Sequence, residues 1–445
     1  MRQPGLMVRS PDACAPDACP AGRPAALTPA EERLRTVPWE GLAGLAASLD
    51  APLAEVLAGA PAERVLDRLL RTLGGLDRRA RAAVAEAVFG VGLWRRRLRV
   101  QLRSDRGPEE AGPRLLLAAL LRDLGGRQDA AALLELDPAA LPPPGPPPAS
   151  LADRYSLPDW LAAELERAAG AEAELLADAL CAPGPVCLRA NLLRTTPPAL
   201  AARIAGEGVP TRPGRLAPHC LIAARPRPNV LGLPAFREGL LEVQDEGSQL
   251  LGALVGARPG EAVLDPCAGA GGKSLLLAAD VGSGGQVHAA DPDPERLSRL
   301  RARAARAGAD GIVRVHGAVI PLAVTVDRAL VDAPCSELGA LRRGPDLRWR
   351  IEPARFAGLP DLQLEILVRA AAQVRPGGRL VYATCTFRRE EDEAVARAFE
   401  SLHPEYQRAR PEADASVVTP DGFVRTWPHR HGADAFFAAV WERAV

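Results

Sequence analysis

Residues 263–274 read Val-Leu-Asp-Pro-Cys-Ala-Gly-Ala-Gly-Gly-Lys-Ser, and this stretch decides the fold. The pattern predicts a buried strand ending at Asp265, a glycine-rich turn, and a helix that begins near Lys273. Glycines at such a turn let backbone N–H groups come close to a ligand. A P-loop requires glycine where Cys267 stands, and a dinucleotide fingerprint requires glycine where Ser274 stands, so neither nucleotide motif fits. At this point the sequence also allows the interpretation that the turn serves packing alone.

Strand-like and helical segments alternate from residue 262 onward. This alternation predicts an α/β fold with a mostly parallel, doubly wound sheet that binds its ligand at the carboxyl ends of the strands. The predicted strands are 262–264, 286–290, 312–315, 328–331 and 379–383, and the predicted helices include 295–307 and 361–374.

The chain is too long for one ordinary core, so we expect several domains. The first segment, 1–25, mixes Pro, Ala and Cys with charge and predicts a disordered tail. Residues 26–138 have helical spacing of leucines throughout, and the Pro-rich stretch 139–150 predicts a semi-rigid linker. Residues 151–244 mix a helix at 158–170 with strand-like pieces and predict an α+β subdomain. The domain at 245–445 contains the glycine-rich turn.

The chain carries 55 basic and 55 acidic residues, so its formal net charge is zero. Any RNA binding must therefore come from local basic patches. No apolar run approaches the roughly 18 residues of a membrane span, and eight scattered cysteines do not indicate a disulfide framework. We expect a cytoplasmic monomer without a membrane anchor or a metal. Lys273 is the only lysine in the chain, which suggests that its site requires an ammonium group.

Two further strands deliver reactive side chains to the expected ligand edge. Residues 327–336, Asp-Arg-Ala-Leu-Val-Asp-Ala-Pro-Cys-Ser, place Asp332 and Cys335 there, and residues 380–386, Leu-Val-Tyr-Ala-Thr-Cys-Thr, place Cys385 there. A buried cysteine is more often inert packing than a reactive group. Because Cys335 and Cys385 end two different strands at the same edge, it is harder to interpret both of them as inert packing.

For two more segments, the sequence allows either a role in binding or a purely structural role. Asp291 follows the strand at 286–290, where nucleoside-binding folds place an acid for ribose hydroxyls, although a helix cap explains it equally well. Residues 341–350, Leu-Arg-Arg-Gly-Pro-Asp-Leu-Arg-Trp-Arg, offer guanidinium groups for phosphates and an indole for stacking. A solvated loop is the alternative for this run.

In this order, the motifs resemble those of the RNA 5-methylcytosine methyltransferases, the Sun/Fmu family, over residues 151–445. Residues 265–274 are similar to the family's cofactor loop, Asp-x-Cys-Ala-Ala-Pro-Gly-Gly-Lys-Thr, and residues 332–336 and 384–386 to its two cysteine motifs. Residues 342–349 are similar to its Arg-Arg-x-Pro-Asp-x-Arg-Trp segment. Residues 76–90 resemble, less closely, the NusB-type domain of the bacterial 16S ribosomal RNA members.

The resemblance implies a Rossmann-like, S-adenosylmethionine-dependent methyltransferase domain, with a NusB-like all-α RNA-binding domain and a small α+β RNA-binding subdomain before it. It implies three catalytic residues: Cys385, Cys335 and Asp332. It implies that the cofactor is held by Cys267, Ala268, Gly269, Ala270, Gly271, Gly272, Lys273, Asp291 and Asp332. It implies that RNA, most simply 16S rRNA, is contacted by Arg189, Asn191, Arg342, Arg343, Arg348 and Trp349.

The chemistry that the resemblance implies needs two cysteines and an acid. Cytosine C5 becomes nucleophilic only after a thiolate adds to C6, and the family assigns that addition to the residue at Cys385. An acid near N3 or N4 favours the addition, and Asp332 matches this role. The family gives the residue at Cys335 a part in removing the C5 proton before release.

Three departures separate this chain from the family pattern. Residues 268–270 read Ala-Gly-Ala where Ala-Ala-Pro is usual, and Glu337 stands where Gly usually follows the Pro-Cys-Ser motif. Gly317 and Ala318 stand where an Asp usually meets the adenine amino group. These changes keep open a catalytically weak RNA-binding or ribosome-assembly factor, beside methylation of transfer RNA or another RNA. The N-terminal helical domain favours ribosomal RNA by analogy.

Overall fold

A computed structural model describes residues 27–102, 111–146, 148–224, 228–317 and 324–445. The predicted tail at 1–25 and the departure at Ala318 lie outside these residues. No helix in the described ranges is long and apolar enough to cross a membrane.

The helices lie in three groups along the chain. The first group is α1 Pro29–Arg35, α2 Ala46–Leu57, α3 Ala62–Leu73, α4 Arg78–Leu102, α5 Pro113–Ala119 and α6 Ala130–Leu133. The second is α7 Leu151–Arg154, α8 Asp159–Ala169, α9 Ala173–Cys181, α10 Pro197–Gly206 and α11 Pro234–Arg237. The third is α12 Glu246–Ala253, α13 Ser274–Val281, α14 Pro294–Ala307, α15 Leu359–Ala371, α16 Glu393–Leu402 and α17 Pro428–His431.

The strands form two sheets. The smaller sheet contains β1 Cys187–Ala190, β2 Thr211–Pro213, β3 Cys220–Ala223 and β4 Leu241–Val243. The larger contains β5 Ala262–Asp265, β6 Gln286–Ala290, β7 Val313–His316, β8 Val326–Asp332, β9 Val374–Thr384, β10 Tyr406–Arg408, β11 Val424–Arg425 and β12 Phe437–Arg443.

The larger sheet has the order β10-β12-β9-β8-β5-β6-β7, with β11 paired to β12. The run from β9 to β7 is parallel, and β12 lies antiparallel beside β9. The predicted α/β fold with a mostly parallel sheet is therefore confirmed. Because these strands are parallel, the carboxyl ends of β5, β8 and β9 all lie at one edge of the sheet.

Local sequence explains how α14 is fixed below that edge. Asp293 caps the helix, because its carboxylate accepts hydrogen bonds from the N–H groups of Glu295 and Arg296. Pro294 occupies the first turn, where no N–H is needed. Gly308 ends the helix with φ of +72°, a left-handed conformation that suits glycine.

The described residues between 27 and 138 form helices and turns without strands, as the leucine spacing predicts. Their core includes the buried Trp39 and Trp94 and continues into α8 and α9 of the next segment. The same apolar cluster also takes in Leu338 and Leu341, which belong to the catalytic half of the chain. The likeness of this region to a NusB-type domain stays a prediction.

The Pro-rich segment is packed against the helical region and does not act as a free spacer. The Gly145 N–H donates to the Gln101 carbonyl at 3.1 Å, and Arg122 donates to the Pro142 carbonyl.

The segment after the linker contains the smaller sheet, which is antiparallel with the order β2-β3-β1-β4. Its apolar face packs on α10 through Leu200 and Ile204. The β4 strand leads directly into α12 and the catalytic half, so this sheet lies beside the glycine-rich turn.

Candidate active site

A cavity of about 630 Å³ lies at the carboxyl ends of the parallel strands. The sequence-predicted site residues meet there. The lining includes Cys267, Ala268, Gly269, Ala270, Gly272, Lys273, Asp291, Asp332, Cys335 and Cys385, together with Asp265 and Glu337. Gly271 does not line the cavity; it has φ of +88°, and a Cβ there would lie 2.8 Å from Leu300. The predicted residues therefore form one site, with Gly271 packing beneath it.

Asp291 connects the end of β6 to the glycine-rich turn. One carboxylate oxygen accepts the Gly269 N–H at 3.0 Å, and the other accepts the Asp293 N–H at 2.8 Å. Gly269 has φ of +54°, and a Cβ there would meet nothing within 4 Å. The turn thus presents open backbone to the cavity, beside a carboxylate that is only 4% exposed.

Asp265 ends β5 beneath the turn and is buried. Its carboxylate accepts the Ser274 hydroxyl at 2.6 Å, while the other oxygen has no hydrogen-bond partner among the described residues. Burial raises the pKa of Asp265 to about 7, with the Ser274 hydrogen bond opposing the shift and the Asp332 charge adding to it.

Lys273 lies inside the cavity and forms an ion pair with Asp332. The Nζ atom is 2.6 Å from Asp332 Oδ2 and 5.9 Å from the centre of the Phe436 ring. Burial alone would lower the pKa of Lys273, but the charge and hydrogen bond of Asp332 raise it, and Cys385 and Asp265 add to the rise. An ammonium group therefore stays charged next to the Cys385 sulfur.

Two sulfur atoms meet where β8 and β9 end. These strands are parallel neighbours, with Asp332 opposite Ala383, so the residues after them come together. Cys335 Sγ lies 3.3 Å from Cys385 Sγ. The hydrogen bond with Cys385 raises the pKa of Cys335, and burial raises it further, so Cys335 is a thiol at neutral pH.

A polar network locks the two cysteine turns together. The hydroxyls of Ser336 and Thr386, one residue after each cysteine, lie 2.8 Å apart. Glu391 is completely buried and accepts the Ser336 N–H at 2.9 Å. The acidic run at 390–393 therefore supports the cysteine turns from below.

Cys267, the third cysteine of the cavity, is held as an unreactive thiol. Burial raises its pKa well above the ordinary value, and the carboxylates of Asp265, Asp332 and Asp291 add to the rise. Only thiolates are effective nucleophiles, so Cys267 serves the shape of the turn. Among the described residues, no group of His, Cys, Asp and Glu side chains could hold a metal ion.

Arg189 and Asn191 do not face solvent, contrary to what RNA contact requires. Arg189 is 3% exposed and donates to the Gly272 carbonyl and to Gln244, so it clamps the turn from the β1 side. Asn191 is buried and donates to the carbonyls of Gly239 and Ala307, both at 2.8 Å. Both side chains join the smaller sheet to the catalytic half.

The arginine-rich segment at 341–350 is also largely internal. Arg348 is fully buried and donates to the carbonyls of Tyr155 and Leu180. Arg342 is buried and binds Asp434 and Asp245. These guanidinium groups are used inside the protein, so they present no surface to phosphates.

Arg343 and Trp349 belong to the same segment, and other parts of the protein also contact them. Arg343 keeps 30% of its side chain exposed, but it binds Asp245 and Asp434 too. Trp349 lies under the Arg95 guanidinium, 4.0 Å from the ring centre, so its indole face is covered by α4. The sequence predicted that this indole would offer a stacking surface to RNA, but the Arg95 guanidinium already covers one of its faces.

Some cavity residues were missed by sequence reasoning. Arg296 and Arg303 lie two turns apart on one face of α14, and Leu362 and Ile366 one turn apart on α15. Arg303 also donates to the Ala270 carbonyl at 2.8 Å. Helical spacing was the available signal, but charged and apolar stripes occur on most surface helices and do not single out a site.

Comparison with protein families gives two matches. A family described as 16S rRNA methyltransferase RsmB/F matches residues 253–442. A second, described as the RsmF/B-like ferredoxin-like domain, matches residues 157–229. Together the two matches cover the smaller sheet, except β4, and most of the larger one.

Relatives and solved structures agree with these matches. A Synechocystis protein named probable ribosomal RNA small subunit methyltransferase B is 36% identical over 306 residues, covering 66% of this chain and 68% of that protein. The Vibrio cholerae ribosomal RNA small subunit methyltransferase B is 33% identical over 296 residues, covering 65% and 66%.

Two crystal structures share the fold. PH0851 has a TM-score of 0.72 at 23% identity, covering 95% of this chain and 100% of that one. A methyltransferase homologue from Pyrococcus horikoshii has a TM-score of 0.58 at 24% identity, covering 69% and 100%. The glycine turn, the paired cysteine turns and these relatives agree, and the chain belongs to the RsmB/F family of RNA methyltransferases.

Proposed function

We propose that this enzyme transfers a methyl group from S-adenosylmethionine to C5 of a cytosine in 16S rRNA, with Cys385 as the nucleophile. The observation that carries the proposal is the 3.3 Å approach of the Cys335 and Cys385 sulfurs, in a cavity that also holds the Lys273–Asp332 pair. A methyltransferase that acts on oxygen or on an exocyclic nitrogen has no need of two cysteines at the reacting centre.

The cavity suits the cofactor in size and in chemistry. A volume of about 630 Å³ is within the range of pockets for ligands of this size. Asp291 would accept ribose hydroxyls, the open backbone at Gly269 would meet the amino-acid part, and Leu362 and Ile366 offer an apolar surface for a purine. When bound, S-adenosylmethionine supplies an electrophilic methyl group. Titration calorimetry tests this fit, and no detectable binding would reject it.

Cys385 makes C5 reactive by adding to C6 of the cytosine. Lys273 and Cys385 both line the cavity, and Cys385 is among the groups that raise the pKa of Lys273. Asp332 uses Oδ2 for Lys273, so it is held in a fixed orientation in which it can meet the N3 and N4 edge of the base. Lys273 therefore serves two groups at once, which explains why an ammonium stands here in an arginine-rich chain.

In this proposal, the residues that were predicted to contact RNA have a structural role. Arg189 shapes the cofactor turn, Arg342 and Arg343 pair with Asp434 inside the catalytic half, and Arg348 joins that half to α9. We propose that they affect RNA binding through this arrangement, while surface residues of the helical region and the smaller sheet meet the phosphates.

Bisulfite sequencing of ribosomal RNA tests the proposed substrate. A strain lacking the gene should lose one 5-methylcytosine in 16S rRNA, and the wild-type gene should restore it, whereas the Cys385→Ala gene should not. An unchanged 16S pattern with a lost mark in transfer RNA would move the substrate to transfer RNA.

A further inference from the structure

Buried side chains hold the backbone on both sides of Cys335. Gln363 of α15 is fully buried, and its Nε2 atom donates to the Pro334 carbonyl at 2.9 Å. Glu391 is also fully buried, and its carboxylate accepts the Ser336 N–H at 2.9 Å. The residue before Cys335 and the residue after it are therefore each bound to a side chain that solvent does not reach.

Gln363 and Glu391 act as one unit, because they also bind each other. Gln363 Nε2 lies 3.0 Å from the same Glu391 oxygen that accepts the Ser336 N–H. The Tyr382 hydroxyl donates to Gln363 Oε1 at 3.1 Å, so the amide is held with its nitrogen toward Pro334. Removing one member of such a buried network leaves the others without partners, and this makes the network a rigid support for the turn.

The strand end that carries Cys385 is held by a different buried acid. The Thr384 hydroxyl donates to Asp392 Oδ1 at 2.5 Å, and both residues are fully buried. Arg425 of β11 donates to the other oxygen of Asp392 at 2.9 Å. Consecutive acids of the run at 390–393 therefore serve the two cysteine turns separately.

We propose that Gln363 and Glu391 are positioning residues for the release step, because they fix the backbone around Cys335. The inference rests on the proposed function, in which Cys335 assists release. In that step Cys335, as a thiolate, takes the C5 proton. The electron pair of the C5–H bond forms the C5–C6 double bond, and Cys385 leaves C6 as a thiolate. A base must lie within hydrogen-bond reach of the proton that it takes, and a misplacement of about 1 Å slows a step by as much as about 100-fold.

Two substitutions that keep the size of the side chain distinguish the two turns. Gln363→Met removes the donor to Pro334 and Glu391, and Thr384→Val removes the donor to Asp392. A 16S rRNA transcript and methyl-labelled S-adenosylmethionine are mixed with each enzyme for a single turnover, and a denaturing gel follows the band of protein covalently joined to RNA. Gln363→Met should accumulate this band and lose it at least about 10-fold more slowly than wild type. Thr384→Val should show less of the band than wild type, because addition is slowed.

A transcript that contains 5-fluorocytosine measures the addition step alone. Fluorine replaces the C5 proton and is not removed by a base, so the methylated complex accumulates. Gln363→Met should accumulate it at the wild-type rate, and Thr384→Val about 10-fold more slowly. Gln373→Met is the matched control, since Gln373 is a buried glutamine that precedes β9, at the end of the strand opposite Cys385. It should behave as wild type with both transcripts.

Tyr382→Phe is a second variant for the release step, since it removes the hydroxyl that orients the Gln363 amide. It should slow release by a smaller factor than Gln363→Met and leave addition unchanged. Slower addition in Gln363→Met, or release at the wild-type rate in both Gln363→Met and Tyr382→Phe, would overturn the proposal. Absence of a covalent band from wild-type enzyme with the 5-fluorocytosine transcript would instead reject the proposed function.

Discussion

The two cysteines of the site differ in environment although their sulfurs are 3.3 Å apart. Cys335 is bound by the Glu337 N–H and stays a thiol, while Cys385 lies next to the charged Lys273. This difference supports the proposed addition by Cys385 and the proposed assistance at release by Cys335, and the two roles can be tested independently.

Alanine variants should separate the two roles. Cys335→Ala should accumulate a denaturation-resistant RNA complex, because release is slowed, whereas Cys385→Ala should form none and should lose methylation. Gel mobility after denaturation measures both outcomes. Cys267→Ala, at the third cysteine of the cavity, is the control and should turn over without trapping RNA. The reverse pattern for Cys335 and Cys385 would exchange the roles.

Asp265 should give the stability of the protein a particular pH dependence. Its pKa is about 7 in the folded state, because of burial, and roughly 4 in the unfolded chain, so the folded state holds the extra proton. The free energy of unfolding that Asp265 contributes is complete below about pH 4 and is lost as the pH rises through 7.

Asp265→Asn removes this titration, since the amide resembles the protonated acid. The cost of the substitution, relative to wild type, should be smaller at pH 8 than at pH 5 by about 2–3 kcal/mol. Urea unfolding at the two pH values measures the difference, and an equal cost at both would show that Asp265 is ionised in the folded protein.

Glu337 should limit the stability of the protein, because its backbone has a φ of 58°. Glu337→Gly should raise the free energy of unfolding by about 0.5–1 kcal/mol, because glycine adopts positive φ without steric cost. Glu352→Gly, at φ of −105°, should lower it by a similar amount, since glycine gains only entropy in the unfolded chain. A destabilising Glu337→Gly would mean that the side chain contributes more than the strain costs.

At the scale of elements, the strands that position the site could be predicted, and so could β1 of the smaller sheet from the strand-like residues 186–192, whereas the short antiparallel strands could not. The strand at 286–290 was predicted at its observed bounds, and 328–331 lies inside β8. Most residues of these two strands are buried and apolar, which is a strong signal. The short strands β2, β4, β10 and β11 have two or three residues each, too few to show a period.

In the candidate site, too, some residues could be placed from the sequence and others could not. Motifs placed the cysteines, the acid and the lysine correctly at one edge, because parallel strands force their ends together. The arginines at 342–348 were expected on the surface because charge usually indicates solvent. Their carbonyl and carboxylate partners come from Tyr155, Leu180, Asp245 and Asp434, which are distant in sequence and carry no local signal.

Arg348 should therefore affect folding far more than RNA binding by direct contact. Arg348→Met leaves the Tyr155 and Leu180 carbonyls without their donor and should lower the free energy of unfolding by about 2–4 kcal/mol. Arg350→Met, at a partly exposed ion pair with Asp346, is the control and should cost less than about 1 kcal/mol. Chemical denaturation measures both, and a small cost at Arg348 with a reduced salt dependence of RNA binding would restore the surface role.

At the scale of the whole molecule, one apolar core connects segments that are distant in sequence. The helical region, α8 and α9 share one apolar cluster with Leu338 and Leu341 of the catalytic half. Inside the catalytic half, the buried Arg342 is paired with Asp245 and Asp434. Opposite charges are therefore paired in the interior as well as between exposed side chains such as Arg68 and Glu55.

The segment at 338–356 has a consequence for building hybrid enzymes from relatives. Its chain position assigns it to the catalytic half, yet Asp346 accepts the Ala62 N–H and Trp349 packs under Arg95 of the helical region. A chimera cut at the Pro-rich linker would pair this segment with a foreign set of helices and leave Asp346 and Trp349 without their matched partners. Exchanging residues 338–356 along with the N-terminal half would keep donor and acceptor from the same parent, so the transplantable unit is discontinuous in sequence.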